Sequence, residues 1–180
     1  RLLGIRSHIN EKVSEEELKL LLKESAETGE IDFIEHDLVK RVFELGDRKV
    51  NSLFTHRSEL VYFNITASLD VVLETIKHYK HSVYPVCKEN DLDQLIGIVY
   101  LKDLFPLEQT QAFSLETYIK PVLFLNENLL AYKVLELLKK ERTHYAIVVD
   151  EYGTTQGIVT MNDLTEAIMS DVSDITENDY

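Results

Sequence analysis

The chain contains the same segment twice. Gly97–Leu104 reads GIVYLKDL and Gly157–Leu164 reads GIVTMNDL, 60 residues further on, while Ser82–Val86 upstream is similar to Thr143–Ile147. Each copy predicts a strand, a turn, a second strand and a short closing helix. Two tandem copies of such a unit pack as a pseudo-symmetric pair with a cleft between them, and positions where the copies differ indicate where function lies.

Composition limits what the pair can bind. The 180 residues are 44% hydrophobic, enough for a folded core, and carry a formal net charge of −13. Such a charge repels the phosphate backbone of nucleic acids, so no nucleic-acid partner is expected. A single phosphorylated ligand stays open, because a few N–H groups at the start of a helix can bind one anion even in an acidic protein.

Neither a membrane span nor an oxidising compartment is indicated. No apolar run approaches the roughly 20 residues that cross a bilayer, and no signal peptide is visible. The lone Cys87 lies in an apolar strand-like run, which is typical of a core residue in a reducing compartment. We therefore expect this piece of chain to be soluble on its own.

A helical hairpin is predicted over residues 1–49. Ser14–Glu17 forms a capping box before the first helix, and Asp32–Glu35 repeats it before the second. Gly29 and Gly46 give the two helices their ends. The apolar stripes at helical spacing are Leu18, Leu21, Leu22 and Ala26 in the first helix, and Ile34, Leu38, Val42 and Leu45 in the second.

The two copies predict an α/β (α+β) protein. The first copy covers 50–110, with a helix over 68–80, whose apolar residues include Tyr79, and strands over 83–87 and 95–100. The second covers 115–171, with a helix over 129–141 and strands over 145–149 and 156–160. Pro106 ends the first closing helix, a polar stretch follows to residue 114, and 172–180 is acidic, as expected of the start of a connector to a further domain.

Catalytic signatures are missing from the sequence. There is no nucleophile elbow, no phosphate-binding glycine loop and no His-Glu-x-x-His pair, so we do not expect an enzyme. His78 and His81 have the spacing of two metal ligands on a helix, but no third ligand lies nearby in the sequence. No metal site is therefore predicted, and Asp150–Glu151 is interpreted as a turn.

The segment Thr160–Asp163 allows two interpretations. A strand places a hydroxyl and, one turn later, a carboxylate at the start of a helix. This pattern is a capping box, which needs no ligand. It also suits a nucleotide, because the hydroxyl and helix N–H groups can bind phosphate while the carboxylate accepts hydrogen bonds from ribose hydroxyls.

The first copy differs at this point. Asp103 matches Asp163, but Tyr100 stands where the second copy has Thr160. An aromatic ring would crowd a phosphate at that position. The contrast predicts one competent nucleotide site and one degenerate or occluded site at Tyr100 and Asp103.

On these residues the chain resembles a tandem cystathionine-β-synthase (CBS) domain pair. Gly157–Thr160 followed by Asp163 matches the ligand motif of that family. The preceding Val149–Gly153, the helical hairpin and Phe54–Arg57 further resemble CorC/HlyC-type proteins. These include magnesium and cobalt efflux proteins, hemolysin-like proteins and cyclin M transporters.

The resemblance implies a function and a set of site residues. It implies a cytosolic regulatory module of an inner (plasma) membrane protein, preceded by a transmembrane domain, dimeric, and binding AMP or ATP, with or without Mg²⁺. Thr160 would contact phosphate, Asp163 ribose, and Thr55 would complete the site. Three strand-start residues would line the pocket: Ser82, His144 and Tyr145. For Tyr145, simple core packing is an equal alternative.

Two departures from related sequences keep another function open. His56 replaces a proline, which loosens the chain there, and Val83 replaces an arginine, which removes a phosphate-binding cation. Such a loss weakens polyphosphate binding about tenfold or more, and two outcomes follow: AMP is favoured over ATP, or neither nucleotide binds well. The alternative is a dimerisation scaffold with a vestigial pocket. A further possibility is that the acidic surface binds Mg²⁺.

Overall fold

The computed structural model describes residues 14–104 and 113–169. They form two units. One contains residues 14–44 with 168 and 169, and the other contains 45–104 and 113–167. The predictions about Pro106, most of the stretch that follows it, and the terminal connector lie outside the described residues.

The first unit contains the predicted helical hairpin up to residue 44. Helix α1 (Glu15–Glu27) begins with the capping box: the Ser14 N–H donates to Glu17 Oε2 at 2.8 Å, and the Glu17 N–H donates to Ser14 Oγ at 3.2 Å. Helix α2 (Phe33–Asp47) begins where the Asp32 N–H donates to Glu35 Oε2. The apolar stripes are only partly covered, since Leu21 is 54% exposed and Val42 is 55% exposed.

The first copy forms a three-stranded sheet with one long helix. Strand β1 (Thr55–His56) lies outside this sheet, which has the order β2-β3-β4. The elements after β1 are β2 (Phe63–Asn64), α3 (Leu69–His78), β3 (Val83–Lys88), β4 (Asp91–Tyr100) and the short closing helix α4 (Leu101–Leu104). Strand β2 is parallel to β3, and β3 is antiparallel to β4.

Two predicted boundaries in this copy are wrong. Helix α3 ends at His78, so Tyr79 is 53% exposed instead of facing the core. Strand β4 begins at Asp91, earlier than predicted, because Glu89 and Asn90 both have positive φ and close a two-residue turn that extends the ladder to Lys88 and Asp91. Neither residue is a glycine, so the turn gave a weak sequence signal.

The second copy repeats this arrangement. Its elements are β5 (Leu123–Asn126), α5 (Ala131–Lys140), β6 (Tyr145–Val149), β7 (Thr155–Thr160) and α6 (Met161–Met169). The sheet has the order β1-β7-β6-β5, with β5 parallel to β6 and β6 antiparallel to β7. Strand β1 of the first copy is thus the edge strand of the second copy's sheet.

The start of each copy pairs with the last strand of the other. Thr55 lies opposite Ile158 in the β1–β7 pair, and Lys120 exchanges two backbone hydrogen bonds with Ile98, at 2.8 and 3.0 Å. A Cβ atom at Gly157 would overlap the Thr55 carbonyl oxygen, and one at Gly97 would overlap that of Lys120. The two glycines of the repeated motif therefore allow the exchanged segments to approach.

The strand register corrects the alignment of the two copies. Val83 pairs with Tyr100 as Tyr145 pairs with Thr160, so Ser82 corresponds to His144 and not to Thr143. The shift arises because the β3–β4 hairpin is two residues longer than its counterpart. Tyr145 therefore corresponds to Val83, and the buried Tyr84 corresponds to Ala146.

Two apolar clusters hold this unit together. The first contains Phe63, Val72, Tyr84 and Val99 of the first copy, among others, together with Leu115 at the start of the second. The second contains residues of both copies, with Val83 and Ile98 against Ile147 and Ile158. Cys87 is fully buried, as its apolar surroundings in the sequence indicate. Since strand residues of both sheets meet in the second cluster, the copies share one interior.

Candidate functional site

A cavity of about 600 Å³ opens where the two copies meet. It is lined from three sources: Thr55, Glu59, Leu60 and Val61 from residues 54–62 (below, the linker), His81, Ser82, Val83 and Pro85 from the first copy, and His144, Tyr145, Ile158, Thr160, Met161, Asn162 and Thr165 from the second. Its volume is in the range that holds small-molecule ligands. Five of the six residues predicted for the nucleotide site line it, and the sixth, Asp163, does not.

Asp163 is hydrogen-bonded to Thr160, a residue of the cavity lining. The Thr160 N–H donates to Asp163 Oδ2 at 2.7 Å, and the Asp163 N–H donates to Thr160 Oγ1 at 3.1 Å. This is the reciprocal capping box that the sequence allowed as an interpretation without ligand. It leaves the Thr160 hydroxyl hydrogen available, because a hydroxyl that accepts one bond can still donate another.

The start of α6 has fewer open N–H groups than a bare helix terminus. The Met161 N–H donates to the His144 carbonyl oxygen at 2.9 Å, and the Asp163 N–H is used by Thr160. Asn162 is the remaining residue of that turn, and it lines the cavity. The anion-binding capacity expected here is therefore concentrated on Asn162 and the Thr160 hydroxyl.

Tyr145 forms an aromatic wall of the cavity. Its half-buried ring meets the Tyr100 ring edge-on, with the centroids 5.9 Å apart at an interplanar angle of 64°. The Lys102 ammonium lies 5.3 Å from the Tyr100 ring centroid. Tyr100 occupies the position equivalent to Thr160 and packs toward the other copy's tyrosine. The degenerate character of a second site at Tyr100 and Asp103 stays a prediction.

His81 is a cavity residue that the sequence reasoning missed. It was considered only as a metal ligand with His78, whose Nδ1 instead lies 2.9 Å from the Glu74 carbonyl oxygen within α3. His81 lies beyond the end of α3, immediately before Ser82. The corrected strand register gives the signal that was overlooked, since it brings His81 next to the residue equivalent to His144.

The cavity has an unusual charge for a phosphate site. Among the described residues that line it, Glu59 is the only carboxylate and none is a lysine or an arginine. Burial raises the pKa of Tyr84, whose hydroxyl donates to the Tyr79 carbonyl oxygen. Within residues 14–104 and 113–169, no three His, Cys, Asp or Glu side chains are grouped as a metal ion requires.

The linker is ordered by its own side chains. The His56 ring accepts a hydrogen bond from the Ser58 N–H at 3.3 Å and caps the short helical turn Arg57–Glu59. Arg57 pairs with Asp93, with an N–O distance of 3.1 Å. The histidine that replaces proline therefore holds the chain next to Thr55 and Glu59, where looseness was expected.

Sequence comparison places the two copies in a known family. The CBS domain family model matches residues 50–107 and 116–170. The chain is 36% identical over 173 residues to the UPF0053 protein sll0260 of Synechocystis, covering 96% of this chain and 38% of that protein. It is 30% identical over 166 residues to the magnesium and cobalt efflux protein CorC of Escherichia coli K12, covering 91% of this chain and 56% of CorC. The chain thus spans only part of these relatives.

Solved structures agree with this placement. The CBS domain of the bacterial CNNM/CorC family Mg²⁺ transporter superimposes with a TM-score of 0.81 at 34% identity, covering 87% of this chain and 96% of that one. The same domain in complex with ATP gives a TM-score of 0.71 at 31% identity, covering 75% and 96%. A CBS-domain pair with bound AMP from Klebsiella pneumoniae gives 0.60 at 24% identity, covering 67% and 98%, which supports the fold. The predicted mixed α/β pair preceded by two helices is confirmed.

None of the described helices, from α1 to α6, is both long and apolar enough to cross a bilayer.

Proposed function

Because the chain belongs to the CBS-domain family, and within it to the CBS pairs of CNNM/CorC-family Mg²⁺ transporters, we propose that it is the adenine-nucleotide-binding regulatory part of a membrane protein that moves divalent cations such as Mg²⁺ or Co²⁺. It would lie on the cytosolic side of the membrane. The observation that carries the proposal is the cavity shared by both copies and the linker, with the Thr160 hydroxyl at the start of α6.

The proposed ligand is AMP or ATP, placed by the residues around this cavity. The Thr160 hydroxyl donates to phosphate, and the second oxygen of Asp163, beyond the one bonded to the Thr160 N–H, accepts from ribose. The Tyr145 ring offers a flat apolar surface to the base. Thr55 and Ser82 add hydroxyls from the linker and the first copy. ATP in the related 31% identical domain supports this choice of ligand class.

The proposed mechanism is a shift between arrangements of the pair. A nucleotide that touches both copies and the linker binds most tightly to the arrangement that brings all three together. A tenfold preference for that arrangement shifts the equilibrium by about 1.4 kcal/mol. The hairpin of α1 and α2 would carry the shift toward a transmembrane domain. No chemical step is involved, consistent with membership of a regulatory rather than a catalytic family.

Calorimetry tests the proposal. The chain is titrated with AMP, ADP and ATP, each with and without Mg²⁺, and saturable binding at about one site per chain is expected, since the Tyr100 site is proposed to be closed. Asp163→Ala and Thr160→Tyr should abolish the heat. Asp103→Ala is the matched control, because it changes the equivalent carboxylate in the first copy and should leave binding intact. Two sites per chain, or equal effects of Asp103→Ala and Asp163→Ala, would contradict the site assignment.

We also propose that the chain forms a homodimer, since CBS pairs commonly dimerise through their closing helices. Sedimentation velocity measured with and without nucleotide tests this directly. A dimer that forms equally in both conditions, together with no heat from any nucleotide at millimolar concentration, would favour the alternative of a scaffold with a vestigial pocket. If the chain is a monomer that binds nucleotide, the proposed nucleotide-binding function stands and the proposed homodimer is wrong.

A further inference from the structure

We infer that His81 and His144 supply the positive charge with which this cavity binds the anionic part of its ligand, so that it takes a nucleoside monophosphate and takes it best when these histidines are protonated. The inference rests on the proposed function. Among the described residues that line the cavity, these two are the only side chains that become cationic near neutral pH.

His81 is held at the cavity by two tyrosines. Its backbone N–H donates to the Tyr84 hydroxyl at 3.2 Å. Its ring lies parallel to the Tyr79 ring, with centroids 6.5 Å apart, and edge-on to the Tyr84 ring at 5.8 Å. The sequence Tyr79–Tyr84 therefore presents His81 as a positioned side chain at the end of α3.

His144 lies beside the residue expected to bind phosphate. Its carbonyl oxygen accepts the hydrogen bond that starts α6, from the Met161 N–H. The next residue, Tyr145, lies opposite Thr160 across the β6–β7 pair. His144 is exposed and lines the cavity together with Thr160 and Asn162. One histidine thus comes from each copy, and His81 lies one residue before Ser82, the position that matches His144 in the strand register.

The other charged groups around the cavity leave the charge of its lining dependent on these two histidines. Lys80 precedes His81 in the chain. The other titratable groups that share the cavity lining or contact its residues are Glu59 of the linker, Asp163 bonded to Thr160, and the tyrosines 79, 84 and 145. Arg57 is paired with Asp93, and Lys102 lies against Tyr100. With both histidines neutral, the lining has only the negative charge of Glu59, which disfavours a triphosphate. With them protonated, the lining can balance the charge of one phosphate group.

The experiment must separate titration of the protein from titration of the ligand. A phosphate monoester changes its own charge with a pKa of about 6, so AMP is unsuitable as the first probe. Adenosine 5′-sulfate carries one fixed negative charge, and adenosine carries none. Both are titrated into the chain by calorimetry at about pH 5.5 and about pH 8, where histidine side chains differ in charge. The measured quantity is the ratio of the two affinities at each pH.

We expect the sulfate to gain about threefold to tenfold in affinity over adenosine at the lower pH, as charge-assisted bonds form at an exposed site. The gain should shrink in His81→Gln and in His144→Gln and vanish in the double variant. His78→Gln is the matched control, since His78 is a nearby histidine outside the cavity lining and should keep the full gain. Adenosine binding in every variant reports that the site is still folded.

The possible results distinguish two failures. If adenosine binds but the sulfate gains nothing at the lower pH, or the double variant keeps the gain, the histidine inference is wrong and the nucleotide site stands. If neither probe binds the unmodified chain at either pH, the proposed function itself fails, and the inference falls with it. If ATP without Mg²⁺ binds at the higher pH as tightly as AMP does, the preference for a monophosphate would also be overturned.

Discussion

The Asp93 carboxylate, near the start of β4, accepts a hydrogen bond at 2.9 Å from the backbone N–H of Thr155 at the start of β7. The same oxygen lies 3.1 Å from the Arg57 guanidinium in the linker. The Thr155 hydroxyl in turn donates to the Leu92 carbonyl oxygen at 2.8 Å, and Thr155 is only 2% exposed. One carboxylate therefore ties the first copy, the second copy and the linker together.

The hydrogen bond from Thr155 to Asp93 should contribute more to the free energy of unfolding than the ion pair of Asp93 with Arg57. Asp93→Ala leaves the N–H of buried Thr155 without its acceptor, and we expect a loss of about 1–3 kcal/mol in the free energy of unfolding. Arg57→Ala removes a pair whose side chains are 32% and 40% exposed, and should cost less than about 1 kcal/mol. Urea denaturation of both variants at low and high salt measures the difference, and only the Arg57 contribution should fall with salt. Equal losses would show that the ion pair dominates.

Gly157→Ala should be among the most damaging small changes in the molecule. The added methyl group would overlap the Thr55 carbonyl oxygen and the Phe54 ring, whose Cδ2 lies 2.5 Å from the Cβ position. We expect a loss of about 1–3 kcal/mol or more from overpacking, measured by thermal and urea unfolding. Gly46→Ala is the matched control, since nothing lies within 4 Å of its Cβ position in α2. It should be neutral or stabilising by about 0.5–1 kcal/mol. Similar effects of the two changes would contradict the close approach of β1.

Thr160 should contribute to stability as well as to binding. Thr160→Ala removes the hydroxyl that accepts from the Asp163 N–H, and we expect a loss of about 1 kcal/mol without any nucleotide present. Thr160→Ser keeps the acceptor and should lie within about 0.5 kcal/mol of the unmodified chain. Unfolding of the ligand-free variants gives these values. A Thr160→Ala variant with unchanged stability would mean that the capping box contributes little.

Asp150 should make stability depend on pH on the acid side. Although desolvation raises it, hydrogen bonds from the backbone N–H groups of Thr154 and Tyr152 hold the pKa of Asp150 below its ordinary value. A carboxyl whose pKa is depressed in the folded state stabilises the fold at pH values above its ordinary pKa. This contribution is lost as the pH falls through the folded-state pKa. Asp150→Asn should therefore be less stable near neutral pH, with the difference shrinking below about pH 4. Urea midpoints measured across that range decide it, and a constant difference would exclude the carboxylate as the cause.

Much of the fold could be predicted because its signals are local. The capping boxes at Ser14 and Thr160, and the apolar runs in β3 and β7, follow from side-chain chemistry within a few residues. The exchange of β1 and Lys120 between the copies could not be predicted, since a two-residue strand has no pattern of its own and is specified only by a distant partner. Gly97 and Gly157 are the sequence signal of that exchange, because each allows another segment to approach closely. A glycine alone does not show which segment approaches it.

The candidate site was predicted less completely than the fold. Thr160 and Tyr145 were found because they belong to the repeated motif, and both line the cavity. His81 was missed because the unequal hairpins moved the alignment of the copies by one residue. The hydrogen bond from the Thr160 N–H to the Asp163 carboxylate depends on side-chain rotamers in the first turn of α6, which a motif does not specify.

The exchange of opening segments between the copies has a consequence for dividing this protein. A fragment that ends between the copies lacks the Lys120 segment that packs against its own Gly97, and the complementary fragment lacks β1 against Gly157. Each fragment carries the segment that the other needs, so neither is a finished module, and the two should behave as halves that complement each other on mixing. What is inherited as a tandem repeat is, in physical terms, a single interlocked object.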